Sequence, residues 1–201
     1  LSGGGALNSV MNGKITLETP FEEVYIPPAP GDEGGAIGSA FYLSNDLLKG
    51  RKSFVMKTAF FVPAFSDDEI ERALKEAKSP YRCSQNVAAE TAALIAKGNI
   101  VGWFQGRMEF GPRALGARSI LGDPRSSTMQ KNLNLKVKYR ESFRPFAPSV
   151  LINDVSDWFN TNEGSPYMLL VANVNDKKQI KMTNEQKNLF GIEKLNIKKS
   201  E

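Results

Sequence analysis

The chain has 201 residues, a formal net charge of +4 and a hydrophobic fraction of 41%. It contains no histidine, which excludes a Ser-His-Asp or Cys-His mechanism within the chain and a zinc site with histidine ligands. The single cysteine, Cys83, excludes an internal disulfide and is compatible with a reducing compartment. No apolar stretch approaches the ~20 residues that a membrane-spanning helix needs, so we expect a cytoplasmic protein without a membrane partner.

The first fifty residues predict two short helices, each of which follows a glycine-rich turn. The first helix begins after residues 2–8 and is expected to end at Asn12-Gly13, a typical C-terminal stop. Residues 24–26 predict the end of a strand, and a second helix is expected over residues 36–48. Glycines directly before a helix can expose its N-terminus to a phosphate, although a plain tight turn explains either of them about as well.

From residue 67 onward, the pattern alternates between helices and strands, which is typical of an α/β domain. Residues 49–66 show no strong periodicity and predict a connector. Two capping boxes are expected, at Ser66 and at Thr183, and Ser126 or Ser127 is expected to cap a further helix. Further helices are expected over residues 67–78 and 87–97, and strands from residue 100 and over residues 146–152 and 167–171. Trp158 is expected in the core.

The most informative segment is residues 106–121, a glycine-punctuated loop with three arginines between two apolar runs. Glycine lets a backbone approach a ligand closely, and the arginine fork matches phosphate and carboxylate oxygens. We therefore predict a site for a phosphate-bearing ligand, with a solvated basic face as the alternative. The arginines are Arg107, Arg113 and Arg118.

A second basic segment follows, with Lys136, Lys138, Arg140 and Arg144. If this segment is extended, the side chains of Lys138 and Arg140 share a face, because strand side chains alternate. In the first fifty residues acidic side chains outnumber basic ones, and the positive charge is concentrated between residues 97 and 144. This asymmetry favours an anionic ligand for the middle of the chain.

These motifs resemble a known family. Residues 108–120, followed by Asp123-Pro124-Arg125, resemble the signature of the O-carbamoyltransferases of the nodulation and antibiotic-tailoring type, and residues 138–149 resemble the next motif of that family. Residues 2–8 and 27–38 resemble the end of the family's actin-like ATPase domain. The resemblance extends to about residue 175. It implies an α/β chain with the end of an actin-like (Kae1-like) domain over residues 1–50, a connector over 51–66 and a truncated Sua5/YrdC-like domain over 67–201.

The resemblance also implies a reaction. Carbamoyl phosphate and ATP would form a carbamoyl adenylate, and the carbamoyl group would then move to a hydroxyl of a small-molecule acceptor. Lys138 and Arg140 fall on the Lys-x-Arg pair of the adenylate-forming fold and are expected to bind the triphosphate. The remaining cations, expected to bind carbamoyl phosphate or the adenylate, are Arg107, Arg113, Arg118 and Arg144; Arg113 and Arg118 join Lys138 and Arg140 as the expected catalytic residues.

Two further sites follow from the resemblance. Gly4, Gly5 and Asn8 align with an adenosine-binding Gly-Gly-x-x-x-Asn turn, and Asp32 falls where a carboxylate completes an iron or zinc site with two histidines. The histidines, most of the actin-like domain and a late Ser-x-Asn motif do not occur in this sequence. We therefore expect the middle part of such an enzyme, inactive alone, whose missing partner is the remainder of its own polypeptide.

Two other classes of function stay open. The chain could be an RNA-binding module, whose affinity would fall steeply with salt and would not respond to competing ATP. It could also be a regulatory or scaffold piece whose arginines are used in structural ion pairs. We expect nucleic acid not to be the partner.

Overall fold

A computed structural model describes residues 1–51, 53–161, 164–195 and 197 of the chain. The described residues combine short helices with a two-stranded sheet, so the chain is α/β as predicted. In the described ranges, the elements are α1 (Ser9–Glu18), α2 (Gly34–Tyr42), α3 (Asp67–Glu76), α4 (Val87–Ala96), β1 (Val101–Phe104), β2 (Arg118–Leu121), α5 (Met129–Asn132), α6 (Val155–Trp158), α7 (Asn184–Lys187) and α8 (Gly191–Leu195). π-Helical turns at Leu43–Leu47 and Leu133–Val137 continue α2 and α5.

The described residues group into two compact units that are interleaved along the chain. The first unit takes its residues from Leu1–Arg82, Trp103–Ser119 and Ser165–Val171, and the second from Cys83–Gly102, Ile120–Gly164 and Ala172–Glu201. The domain limits at residues 50 and 66 stay a prediction, as does the assignment to actin-like and Sua5/YrdC-like folds. No helix in the described part of the chain is long and apolar enough to cross a membrane.

The core of the first unit brings together distant segments. Ala6, Ile26 and Leu169 are buried against one another, and Tyr167 packs on them. Residues 24–26 and 167–171 therefore supply core side chains, but neither segment forms the predicted strand. Their polar backbone groups use other partners, since the Val171 N–H donates to the carbonyl of Ser9 rather than to a neighbouring strand.

Helix α1 continues through Asn12-Gly13, where its end was predicted. Asn12 is 1% exposed, and its Nδ2 atom donates to the carbonyl oxygens of Ala6 (2.8 Å) and Leu169 (2.9 Å). At Gly13, a Cβ atom would lie far inside van der Waals contact with the carbonyl oxygen of Val171. The pair is therefore a contact point between α1 and residues 169–171, which is why it does not act as a stop.

Capping explains where several other helices begin. The predicted capping boxes at Ser66 and Thr183 are confirmed, and they start α3 and α7. Helix α4 also matches its prediction. The predicted cap at Ser126 or Ser127 is wrong, because α5 begins after Thr128 without a side-chain cap. The Ser126 N–H donates instead to the carbonyl of Asp123 in the preceding turn.

Two predictions for the second unit are also wrong. Residues 146–152 form no strand, and Pro148 within them has no N–H to donate to a sheet. Trp158 was expected in the core, but it is 38% exposed. Its ring lies under Lys178, whose Nζ atom is 4.6 Å from the ring centroid, so a cation–π contact takes the place of core packing.

We expect Gly13→Ala to destabilise the protein, because its Cβ atom cannot fit beside Val171. The loss in the free energy of unfolding should be roughly 1–3 kcal/mol, as for other overpacked sites. Gly38→Ala is the matched control, since Gly38 lies in α2 with open space around it and should gain up to about 1 kcal/mol of stability. Urea unfolding measures both, and equal stability of the two variants would contradict the close approach at Gly13.

Candidate anion-binding site

The arginine loop, residues 106–118, lies in the first unit and turns at glycines. Gly106, Gly111 and Gly116 have φ angles of +59°, +127° and +110°, a region that side chains other than glycine rarely adopt. At Gly111, a Cβ atom would lie 2.8 Å from the carbonyl oxygen of Pro28. The close approach at Gly111 is therefore to another segment of the chain, and the predicted approach of the loop backbone to a ligand stays a prediction.

The carboxylate of Glu109 holds the arginine loop from inside. Glu109 is 2% exposed. Its Oε2 atom accepts from the Nε atom of Arg118 at 3.0 Å. Its Oε1 atom accepts from three backbone N–H groups, those of Leu115 (2.8 Å), Ala117 (2.7 Å) and Arg118 (3.2 Å). One buried side chain thus fixes the backbone of residues 115–118 and the guanidinium of Arg118.

These contacts keep Glu109 ionised. Burial alone would raise the pKa of its carboxyl group, but hydrogen bonds from the Leu115 backbone, the Arg118 side chain and the Ala117 backbone outweigh burial and lower the pKa to about 2. Sequence analysis missed this residue, because the prediction of an anion site there depended on the arginines and glycines alone. Its position inside the arginine loop was the available signal.

Part of the Arg118 guanidinium is hydrogen-bonded within the arginine loop. Besides its contact with the Glu109 carboxylate, its Nη2 atom donates to the Glu109 carbonyl at 3.2 Å. The side chain is still 43% exposed. One edge of the guanidinium therefore has a structural partner, and its predicted role in ligand binding stays a prediction.

Arg107 and Arg113 make fewer contacts. Arg107 is exposed, and its Nη1 atom donates to the Val62 carbonyl at 3.2 Å. The Nη2 atom of Arg113 lies 3.5 Å from the Leu7 carbonyl, and its Nε atom is buried without a hydrogen-bond partner among the described residues. A buried unsatisfied donor costs about 1–3 kcal/mol, and the Nε atom of Arg113 leaves this loop with one such donor in the described part of the chain.

Arg113 reaches the segment predicted to bind adenosine. Gly4–Leu7 forms a 3₁₀ turn that contains Gly4 and Gly5, and the Oδ1 atom of Asn8 caps α1 by accepting from the Met11 N–H at 3.0 Å. Because Arg113 contacts Leu7, the structure brings one predicted phosphate-binding arginine to the glycine turn.

Lys138, Arg140 and Arg144 lie in the second unit, on a turn rather than on an extended segment. Lys138 ends the π-helical turn, and Tyr139 has a φ of +49°, so the condition for a shared strand face is not met. Lys138 is exposed. Arg144 is also exposed, 3.8 Å from the Glu141 carboxylate.

Two contacts hold the guanidinium of Arg140 on this turn. Its Nε atom donates to the Oδ1 atom of Asn134 at 2.6 Å, and its Cζ atom lies 4.8 Å from the centroid of the Phe146 ring. Its two Nη atoms donate to no residue in the described ranges. The guanidinium is therefore fixed on one edge and one face, and its Nη atoms can donate two parallel hydrogen bonds to an oxyanion.

The predicted metal site is not formed by the described residues. Asp32 is exposed, and no group of three His, Cys, Asp or Glu side chains in the described ranges could hold a metal ion. A structural zinc site takes four protein ligands and a catalytic site about three, and the chain has no histidine. Asp32 alone does not fit iron or zinc, and no metal-dependent step is derived for this chain.

We expect Glu109→Gln to lower the free energy of unfolding at neutral pH by about 1–3 kcal/mol, because a neutral amide loses the ion pair with Arg118. Thermal or urea unfolding at pH 7 measures the loss. Glu18→Gln is the control, since it removes an exposed ion pair with Lys14 and should change little. A Glu109→Gln variant as stable as the Glu18→Gln variant would contradict the role of Glu109.

Wild type and Glu109→Gln together also test the pKa of Glu109. Because folding lowers this pKa from 4.5 to about 2, the ionised carboxylate stabilises the folded state above about pH 4.5, and the contribution is lost as the pH falls toward 2. The stability difference between wild type and Glu109→Gln should therefore be constant from pH 7 to pH 5 and shrink below it. Urea unfolding across this range measures the difference, and a gap that stays constant down to pH 3 would contradict the lowered pKa.

Two family models match the chain. The model for the carbamoyltransferase N-terminus matches residues 1–41, and the model for the carbamoyltransferase C-terminus matches residues 92–188. The glycine turn and Asp32 fall in the first match, and both basic segments fall in the second.

Curated relatives agree with these matches. A Synechocystis protein, sll1178, is 51% identical over 100% of this chain and 34% of its own length. Nodulation protein NolNO of Sinorhizobium fredii is 38% identical over 89% of this chain and 27% of its own length. Nodulation protein NolO of Bradyrhizobium diazoefficiens is 37% identical over 89% of this chain and 34% of its own length. The chain thus spans about a third or less of the relatives it matches. Both matched regions and these relatives show that the chain belongs to the carbamoyltransferase family.

Proposed function

We propose that the chain is part of an ATP-dependent O-carbamoyltransferase, which forms carbamoyl adenylate from carbamoyl phosphate and ATP and passes the carbamoyl group to a hydroxyl. The observation that carries the proposal is the match of both regions of the family, in order, on one chain. The free Nη edge of Arg140 supports the nucleotide part of the proposal.

The proposed chemistry explains the need for so many cations. Water would hydrolyse carbamoyl phosphate to carbamate and inorganic phosphate, and a carbamate oxygen would attack the α-phosphorus of ATP with release of pyrophosphate. In this step an anion must approach the polyanionic triphosphate, so fixed positive charge has to offset their repulsion and hold the phosphates in line. The acceptor hydroxyl would then attack the carbamoyl carbon and release AMP.

We assign the residues on this basis. Lys138 and Arg140 would bind the triphosphate, and the glycine turn with Asn8 would hold the adenosine of the adenylate. Arg113 would bind the carbamoyl phosphate or the adenylate, because its guanidinium is held by one long hydrogen bond, to the Leu7 carbonyl at the end of the glycine turn. Arg107, Arg118 and Arg144 would add charge, Arg118 from the edge that Glu109 leaves free.

The rest of the site would come from the remainder of the polypeptide. The matched relatives are about three times longer than this chain, which fits a protein that holds the metal ligands and the acceptor site elsewhere. We therefore propose that the isolated chain is inactive in carbamoyl transfer. The acceptor would be an alcohol, such as a sugar, an aminoglycoside or a nodulation oligosaccharide.

In the complete protein, we expect pyrophosphate release from ATP to require carbamoyl phosphate. The Lys138→Ala/Arg140→Ala double variant should lose this release by roughly 10²-fold or more, because donors aimed at developing charge have effects of that size. Lys136→Ala removes an exposed charge from the same segment and is the matched control, with release close to wild type. Release that does not depend on carbamoyl phosphate in folded, metal-loaded protein would overturn the proposal.

Arg113→Ala separates ligand binding from a structural role. Because Arg113 makes a single long hydrogen bond, we expect its loss to change the free energy of unfolding little while weakening the binding of ATP or carbamoyl phosphate. Arg118→Ala is the comparison, and it should lower stability because it removes the partner of Glu109. Unfolding and calorimetric titration measure the two effects. An Arg113→Ala protein that unfolds but binds normally when folded would favour the scaffold hypothesis.

A further inference from the structure

Asn134 is a buried polar residue that none of the motifs explains. It lies in the π-helical turn Leu133–Val137 and is 0% exposed. Its Nδ2 atom donates to the carbonyl oxygens of Ser142 (3.1 Å) and Arg144 (2.8 Å), and its Oδ1 atom accepts from the Nε atom of Arg140 at 2.6 Å. Its own carbonyl accepts from the Arg140 N–H at 3.0 Å. The residue therefore uses both its side chain and its backbone to close the turn.

The hydrogen bond between Asn134 and Arg140 determines which edge of the Arg140 guanidinium is left for a ligand. The amide oxygen of Asn134 occupies the Nε edge, and the Phe146 ring lies against the guanidinium 4.8 Å from its centroid. What is left is the Nη edge, the edge that binds an oxyanion with two parallel hydrogen bonds. A guanidinium held in this way before binding loses little conformational freedom when an anion arrives.

We propose that Asn134 is a positioning residue that aims the Nη edge of Arg140 at a phosphate group of a bound nucleotide. The inference rests on the proposed function of Arg140 in nucleotide binding. Asn134 does not touch the nucleotide. It acts through Arg140, and its effect on binding disappears when Arg140 is removed.

The neighbouring Gln130 provides a matched control. Its Nε2 atom donates to the carbonyl oxygens of Phe143 and Arg144, both at 3.1 Å, and within the described ranges no hydrogen bond joins it to the Arg140 guanidinium. Gln130→Ala therefore loosens the same backbone as Asn134→Ala but leaves the Nε edge of Arg140 paired. If the role of Asn134 were purely structural, Asn134→Ala and Gln130→Ala would change the Kd for ATP by similar factors.

The test is ATP binding by the complete protein, measured by calorimetric titration in a double-mutant cycle. We expect Asn134→Ala to raise the Kd for ATP by about tenfold or more, and Gln130→Ala to change it less than about twofold. In an Arg140→Ala background, the further substitution Asn134→Ala should leave the Kd unchanged, although it still lowers stability. Independent effects of the two substitutions, or equal effects of Asn134→Ala and Gln130→Ala, would overturn the inference.

A second measurement does not depend on a variant at Asn134. The Nε–H signal of Arg140 in the ¹⁵N NMR spectrum, assigned through its loss in Arg140→Lys, should be protected from solvent exchange before ATP is added. Rapid exchange in the free protein would overturn the inference.

Failure of the inference is distinguishable from failure of the proposed function. Pyrophosphate release that does not require carbamoyl phosphate overturns the proposed function. If the Kd for ATP still changes in the double-mutant cycle as expected, the role of Asn134 is supported in the same protein. A Kd for ATP that Arg140→Ala leaves unchanged overturns the role of Asn134.

Discussion

The geometry of the arginine loop depends on one buried carboxylate. Glu109 collects three backbone N–H groups and one guanidinium, and it holds its charge because these donors outweigh the effect of burial. An anion of the protein itself therefore organises a loop whose composition suggests the binding of external anions. The loop can keep its shape without a ligand, since its internal charge is already paired.

The local contacts of the arginines differ in how much positive charge they leave for a ligand. One edge of the Arg118 guanidinium is paired with the Glu109 carboxylate, whereas Arg140 is held by a neutral amide and an aromatic ring. The difference matters because a carboxylate partner offsets the positive charge, but an amide partner orients the side chain and leaves the charge in place. By this argument, Arg140 presents a stronger field to a phosphate than Arg118 does.

Sequence reasoning predicted best where the signal is local. Capping boxes at Ser66 and Thr183 depend on residues three positions apart, and both were predicted correctly. The predicted strands at residues 24–26, 146–152 and 167–171 failed, because a strand needs a partner that an apolar run does not specify. The basic segments were found, but Glu109 and Asn134 were missed, since their importance comes from burial and long-range pairing.

Close contacts at two glycines have a consequence for how this family can change. Gly13 faces Val171, and Gly111 faces Pro28, so each contact joins residues 1–41 to residues 92–188, the two separately matched regions. Neither glycine has room for a side chain, and Asn12 adds a hydrogen bond to Leu169 between the same two regions. Exchange of one region alone between distant relatives would therefore bring together surfaces that had not been shaped to each other. The two regions are expected to be inherited as a pair, with compensating changes on both sides of these contacts.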